Sequence, residues 1–306
     1  LLAAALLAAC DPSRPDYGGK WSQGPPIPEP VQELHAAVLG GRIYVAGGIT
    51  ADSFGSRGVY RLEPGASRWD RVADLPAPRH HMPLAVVRDT LYAVGGLGFR
   101  GFVPVETMWM YDEARDTWRE RAPLPQPRGA SAAVAVDGRI IVVGGYGPGM
   151  ELLGPTLVYD PREDRWSETA GAPTRRDHLA AAEIGGRVYA VGGRPIDAGH
   201  NFDRLESYDP ASDRWARLEP MPTRRGGLSA VELGGRIHVF GGENSRRVFD
   251  EHEVYDPATG RWTSNQPLPT GRHGHAVAAV GGRIYVIAGG PEAGVAQTDV
   301  VEIYTP

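Results

Sequence analysis

Short apolar runs alternate with polar turns along nearly the whole chain, and the runs return in a fixed order. Each unit opens with a strand of small residues, as in "GASAAVAV" or "HAVAAV". A tight "GGR" or "DGR" turn leads into a second apolar strand, such as "RIYVAGG" or "RVYAVGG". A loop of variable sequence follows, then a third strand ending in Tyr, a "DPxxxR"-type turn, and a fourth strand opening with Trp. Val, Ile, Tyr and Trp suit half-buried pleated surfaces, while Gly and Asp-Pro supply the turns. The pattern predicts four-stranded antiparallel units.

The units keep time. Gly doublets fall at Gly47-Gly48, Gly95-Gly96, Gly144-Gly145, Gly192-Gly193, Gly241-Gly242 and Gly289-Gly290, in steps of 48 or 49 residues. Trp21, Trp69, Trp118, Trp166, Trp215 and Trp262 keep the same beat, as do Tyr60, Tyr111, Tyr159, Tyr208, Tyr255 and Tyr304. Sheets arranged radially crowd at the axis and splay at the rim, so the Ala-rich strand belongs innermost and the Trp strand outermost. This is the packing of a β-propeller, whose closure leaves only short protected edges. The last unit has only three strands, whereas "YGGKWSQGPPIPEP" near the start is a fourth strand without a unit. The N-terminal strand is therefore expected to complete the C-terminal blade and close a six-bladed, all-β ring.

Gly-Gly, Tyr and Trp at a period near fifty residues resemble the kelch repeat over about residues 17–306. WD40 repeats are shorter and carry a Trp-Asp signature that occurs here only once, at Trp69-Asp70. The expected organisation is a signal-peptide remnant over 1–10, a short tether over 11–16, and a propeller over 17–306. In it, 17–29 form the outer strand of the last blade, and the blades span about 31–76, 79–125, 128–173, 176–222, 225–269 and 272–306.

Composition adds two constraints. A net charge of −5 leaves no basic footprint for nucleic acid. The one cysteine, Cys10, ends the run "LLAAALLAAC", which is too short to span a bilayer. Leu-Ala-Ala-Cys resembles the bacterial lipobox, implying lipidation at Cys10, export, and a membrane contact made only through the lipid; an ordinary signal peptide is the alternative. The ten residues from Cys10 to Trp21 reach at most about 35 Å, which would hold the domain close to its membrane. With one cysteine no intrachain disulfide forms, and the Tyr–Cys copper centre of galactose oxidase, whose propeller this chain otherwise resembles, is excluded.

The loops between second and third strands share one face with the blade-to-blade connections, and their variability marks that face as the expected binding surface. Arg79, Arg128, Arg176, Arg225 and Arg272 recur at one position, where blade 1 has Val31. They suggest either a cationic ring at the mouth, fit for carboxylates, or structural pairing between blades. One position on, His80, Asp177 and His273 fall in alternate blades, a constellation open to a transition metal or to acid–base work, or simply to lining a wet channel. His81 matches His178 one position further, and the loops offer His200, Asn201, Asp203, Arg204, Glu243 and Asn244. No phosphate loop, His-Glu-x-x-His or Gly-x-Ser-x-Gly motif is present. The expected ligand-binding candidates are thus Arg79, His80, His81, Arg128, Arg176, Asp177, His178, Arg225, Arg272, His273, Asn201 and Glu243, with no cofactor. Function is expected to be that of a monomeric, non-catalytic scaffold for an envelope protein or glycan. The alternative is an enzyme acting on a sugar or small acid, for which the resemblance supplies the periplasmic kelch-like sialic acid mutarotases as precedent.

Overall fold

In the computed structural model, residues 18–98 and 102–306 are described; Cys10 and the run before it lie outside them. The described residues form six four-stranded antiparallel sheets. Blade 1 runs outward through His35–Leu39, Arg42–Ala46, Val59–Leu62 and Asp70–Arg71. Blade 2 comprises Leu84–Val87, Thr90–Val94, Met108–Asp112 and Thr117–Arg121; blade 3, Ala132–Val136, Arg139–Val143, Thr156–Asp160 and Arg165–Thr169. Blade 4 comprises Ala180–Ile184, Arg187–Val191, Leu205–Asp209 and Arg214–Arg217; blade 5, Ser229–Leu233, Arg236–Phe240, His252–Asp256 and Arg261–Ser264. Blade 6 takes Ala276–Val280, Arg283–Ile287 and Val301–Thr305 from the C-terminus and Lys20–Gln23 from the N-terminus. The closing register pairs Lys20 with Thr305 and Trp21 with Tyr304.

Side-chain alternation along the second strands builds the core. In blade 1, Ile43 and Val45 pack toward blade 6, whereas Tyr44 and Ala46 pack toward blade 2. Every neighbouring pair of blades shares such a cluster, so the core is six interfaces rather than one centre. The inner strands line a central channel, where each blade contributes a small residue, Ala36, Ala85, Ala133, Ala181, Ala230 and Ala278, among bulkier neighbours such as Val38, Val86 and Glu183.

Each repeated residue has a task between blades. Every blade's Trp donates its indole N–H to a backbone carbonyl of the preceding blade: Trp118 to Ala73 O at 2.9 Å, Trp215 to Ala170 O at 2.8 Å. Trp69 closes this circle by donating to Pro25 O, just past the N-terminal strand. In the doublets, the Gly145 N–H donates to Arg176 O of the next blade at 2.9 Å. A Cβ on Gly144 would stand 2.6 Å from that same carbonyl, and both glycines have positive φ, so only glycine permits the approach.

The closing interface contains a buried histidine pair. His252 stacks on Phe240 with ring centroids 4.1 Å apart, meets Tyr304 edge-on, and receives His238 at 2.9 Å. Burial pushes His238 down to about 4, and burial with the adjacent His238 pushes His252 down to about 3. The unfolded chain therefore binds protons that the folded ring refuses, and stability falls as pH drops below about 6.5. Urea unfolding at pH 7, 6 and 5 should show His252→Asn losing stability less steeply than the parent, by about 1.4 kcal/mol per pH unit. Equal slopes would contradict the depressed pKa.

Candidate functional site

The expected site residues part into two groups. The five recurring arginines lie inside the blades rather than at the mouth; Arg128, Arg176, Arg225 and Arg272 are fully buried and Arg79 is 8% exposed. Nor do they pair between blades. Arg176, Arg225 and Arg272 form ion pairs with Glu206, Glu253 and Glu302 on the third strand of their own blade. Arg79 lies over the Trp109 ring, and Arg128 donates to Gly144 O and Pro155 O. Their guanidinium groups are consumed by the scaffold, so the cationic ring at the mouth does not exist.

The second group does converge. At the position two beyond each arginine, or beyond Val31 in blade 1, Glu33, His81, Ala130, His178, Gly227 and Gly274 all adopt left-handed backbone, with φ from 49° to 62°. Their amides form an arc of five bonds around the axis, open between His81 and Ala130: Glu33 N donates to Gly274 O, His81 N to Glu33 O, His178 N to Ala130 O, Gly227 N to His178 O and Gly274 N to Gly227 O. This turn aims each side chain at the axis. Three blades place Ala or Gly there, which leaves room for the other three. A Cβ on Gly274 would collide with the Glu33 carboxylate.

Glu33, His81 and His178 consequently meet in a neck at the loop-face end of the channel. His81 Nε2 lies 3.0 Å from His178 Nε2 and 3.1 Å from Glu33 Oε2. His80, Asp177 and His273 do not form a cluster of their own. They stand behind the neck: His80 Nδ1 meets His81 Nδ1 at 2.6 Å, Asp177 accepts from His178 Nδ1, and His273 Nδ1 is 3.4 Å from Glu33 Oε1. Farther out, Arg194 bonds Glu243 at 2.8 Å and sits 3.7 Å from Asp177, while the Asn201 side-chain amide donates to Glu243 O. Burial alone would raise the Glu33 pKa, but His81, His273 and His178 together hold it well below the usual carboxylate range. Burial pushes His81 far down and His80 down to about 4. For His273 burial is outweighed by Glu33 and Glu243, which raise it. The neck thus sets the acidic Glu33 carboxylate beside the His81 imidazole, which burial disfavours as a cation, with His273 behind it biased toward its cation.

The loop face has a second feature. Among the described residues, the exposed large apolar side chains are Phe54, Phe102, Val103, Met150 and Val295, and all five lie in loops between second and third strands. Phe54 and Phe102 have ring centroids 6.0 Å apart, and Phe102 stands edge-on to His80 at 5.0 Å. In the loops of blades 4 and 5, His200, Asn201, Asp203, Arg204, Arg224 and Asn244 line a polar basin.

The family model described as the Attractin/LZTR1 beta-propeller matches residues 43–301. The chain belongs to this kelch-repeat β-propeller family. Within the kelch family it is 29% identical to Kelch-like protein 35 of Mus musculus over 129 residues, 42% of this chain and 21% of that protein. It is 31% identical to Beta-scruin of Limulus polyphemus over 157 residues (44% and 16%) and 32% identical to Kelch-like protein terF of Aspergillus terreus over 165 residues (47% and 35%). These matches span about a third or less of the relatives' own length. The solved structure of YjhT superposes with a TM-score of 0.80 over 93% of this chain and 97% of that one at 17% identity, a likeness of fold.

Two residues of this kelch propeller's neck region escape a reading by repeats. Glu33 follows Val31, the one departure from the arginine pattern, so alignment by arginine stops short of it. Extending the His81–His178 equivalence to blade 1 does reach Glu33. Arg194 directly follows the blade 4 doublet, where the other doublets are followed by Ile49, Leu97, Tyr146, Glu243 and Pro291, so its singularity was the available signal.

Proposed function

We propose that this kelch propeller is a non-catalytic scaffold that binds a partner protein through its loop face. One observation carries the reading: the large apolar side chains left in solvent gather on that face, against strand-end turns of charged and glycine residues on the other. Aromatic side chains in such a patch act as binding anchors, and truncating one commonly weakens a complex by 2 kcal/mol or more. Lipidation at Cys10 would hold the scaffold outside the cytoplasm against a membrane, with an envelope protein as its partner, a reading that rests on the lipobox-like sequence. The immobilised chain should retain a discrete envelope protein from extract, and Phe102→Asp with Met150→Asp should reduce retention by about tenfold or more without moving the melting temperature. Unchanged retention would overturn the loop-face assignment.

The polar basin favours a second reading, an enzyme acting on a sugar or small acid. Its two arginines and Asn201 offer donors for a carboxylate or hydroxyl groups. Saturation-transfer NMR with acidic sugars separates the two, since the protein-scaffold reading expects no transfer that Arg224→Ala abolishes.

A further inference from the structure

We propose that Glu33, His81 and His178 bind one first-row divalent transition cation, of the zinc or ferrous iron class, at the neck of the channel. Two imidazole nitrogens and one carboxylate oxygen all lie within 4.8 Å of one another there. A tetrahedral ion with bonds of about 2.0–2.1 Å holds neighbouring ligand atoms roughly 3.3 Å apart. The observed separations around His81 Nε2, 3.0 and 3.1 Å, are close to that, and the remaining, wider one between His178 and Glu33 closes as the ion binds. Two imidazoles with one carboxylate select zinc or iron over calcium and magnesium, which prefer oxygen-only shells.

The outer atoms of the three ligands are also tied. Both histidines present Nε2 to the centre, with Nδ1 held by Asp177 in one and His80 in the other. Asp177 is itself fixed by the Ile196 N–H at 2.6 Å and by Arg194. Carboxylate–imidazole–metal relays of this kind fix the ring and raise its basicity. Glu33 keeps Oε2 toward His81 while His273 lies beside Oε1.

Charge supplies an independent argument. Glu33 at the neck, Asp177 behind it and Glu243 farther out are buried carboxylates, and Arg194 is the one permanent cation that pairs with any of them among the described residues. Buried carboxylates in excess of cations are expensive. A divalent ion offsets that excess where it is greatest. An approach route exists, because the Ala-lined channel continues from the neck past His35, Ser229 and His275 to the turn face.

The untagged chain, stripped with chelator and titrated with cobalt(II), should take up one ion per chain and develop the visible absorption of a four- or five-coordinate ion, displaced by zinc. Glu33→Gln and His178→Asn, which keep side-chain shape on separate blades, should each weaken binding by more than about tenfold. Asp177→Asn should weaken it about 10- to 100-fold with stoichiometry retained. Glu163→Gln, in an exposed pair with Arg165, should change nothing. Circular dichroism melts verify that each variant is folded, and either ligand variant alone suffices if the other is not. No stoichiometric uptake, or uptake unaltered in both ligand variants, would overturn the assignment.

Discussion

Replacing Arg272 by Met is expected to lower the unfolding free energy by about 3–5 kcal/mol, the usual result of stripping one partner from a buried ion pair. Arg272 is fully buried in blade 6, where its guanidinium bonds Glu302 and donates to Thr270 O, Ala288 O and Val300 O. Removing it leaves the 2%-exposed Glu302 with Thr270 Oγ1 as a remaining partner. The loss therefore comes mainly from the stranded carboxylate. Two comparisons isolate that cause. Arg272→Met with Glu302→Leu removes both charges and should recover most of the deficit. Arg128→Met should be milder than Arg272→Met, because Arg128 faces only carbonyls and burial already pushes its pKa down to about 10. Urea denaturation of the four proteins tests the order. Equal losses in Arg272→Met and Arg128→Met would show that packing, not the unpaired carboxylate, dominates.

The same residues show where a sequence reading succeeds and where it stops. Blade number, strand order and ring closure were legible because each repeats, and a period of 48 or 49 residues survives large variation in the loops. What the arginines do was less legible, because their partners alternate. The residue two before each Tyr is Gly58, Trp109, Leu157, Glu206, Glu253 or Glu302, and the arginine's role follows it: stacking on Trp109, carbonyls alone beside Leu157, ion pairs with the three glutamates. The correlation lies in the sequence but crosses about thirty residues and three strands. The neck was half legible. His81 and His178 occupy equivalent positions, yet their inward aim follows from left-handed backbone that their residue types do not announce. His80, Asp177 and His273 occupy the adjacent position, and one step along a strand reverses a side chain's direction. That single step separates the ligand-like atoms from the groups that hold them.

Deleting residues 1–24 should do more damage than any single loop change. The lost strand supplies four residue pairs to Val301–Thr305, the Gly24 N–H bond to Val301 O, and the Gly18 carbonyl that accepts from the Tyr304 hydroxyl. It also removes Trp21, which packs between Phe240, His252 and Tyr304 and donates to Gln266 O in blade 5. Trp21 is half-buried, so its loss costs part of the roughly 3–5 kcal/mol typical of a fully buried aromatic, and here a whole ladder of hydrogen bonds goes with it. The bared edge of Val301–Thr305 is an unpaired strand, an invitation to associate with other copies. The expected result is a melting temperature far below the parent's, with dimers or larger species in sedimentation. A peptide of residues 18–27 added in excess should dock in trans, restoring the monomer and part of the lost stability, because the strand carries its own register through Trp21 and Gly24. The same peptide with Trp21→Ala should fail to restore either. A truncated chain that stays monomeric and melts with the parent would mean that the ring does not depend on its two ends meeting.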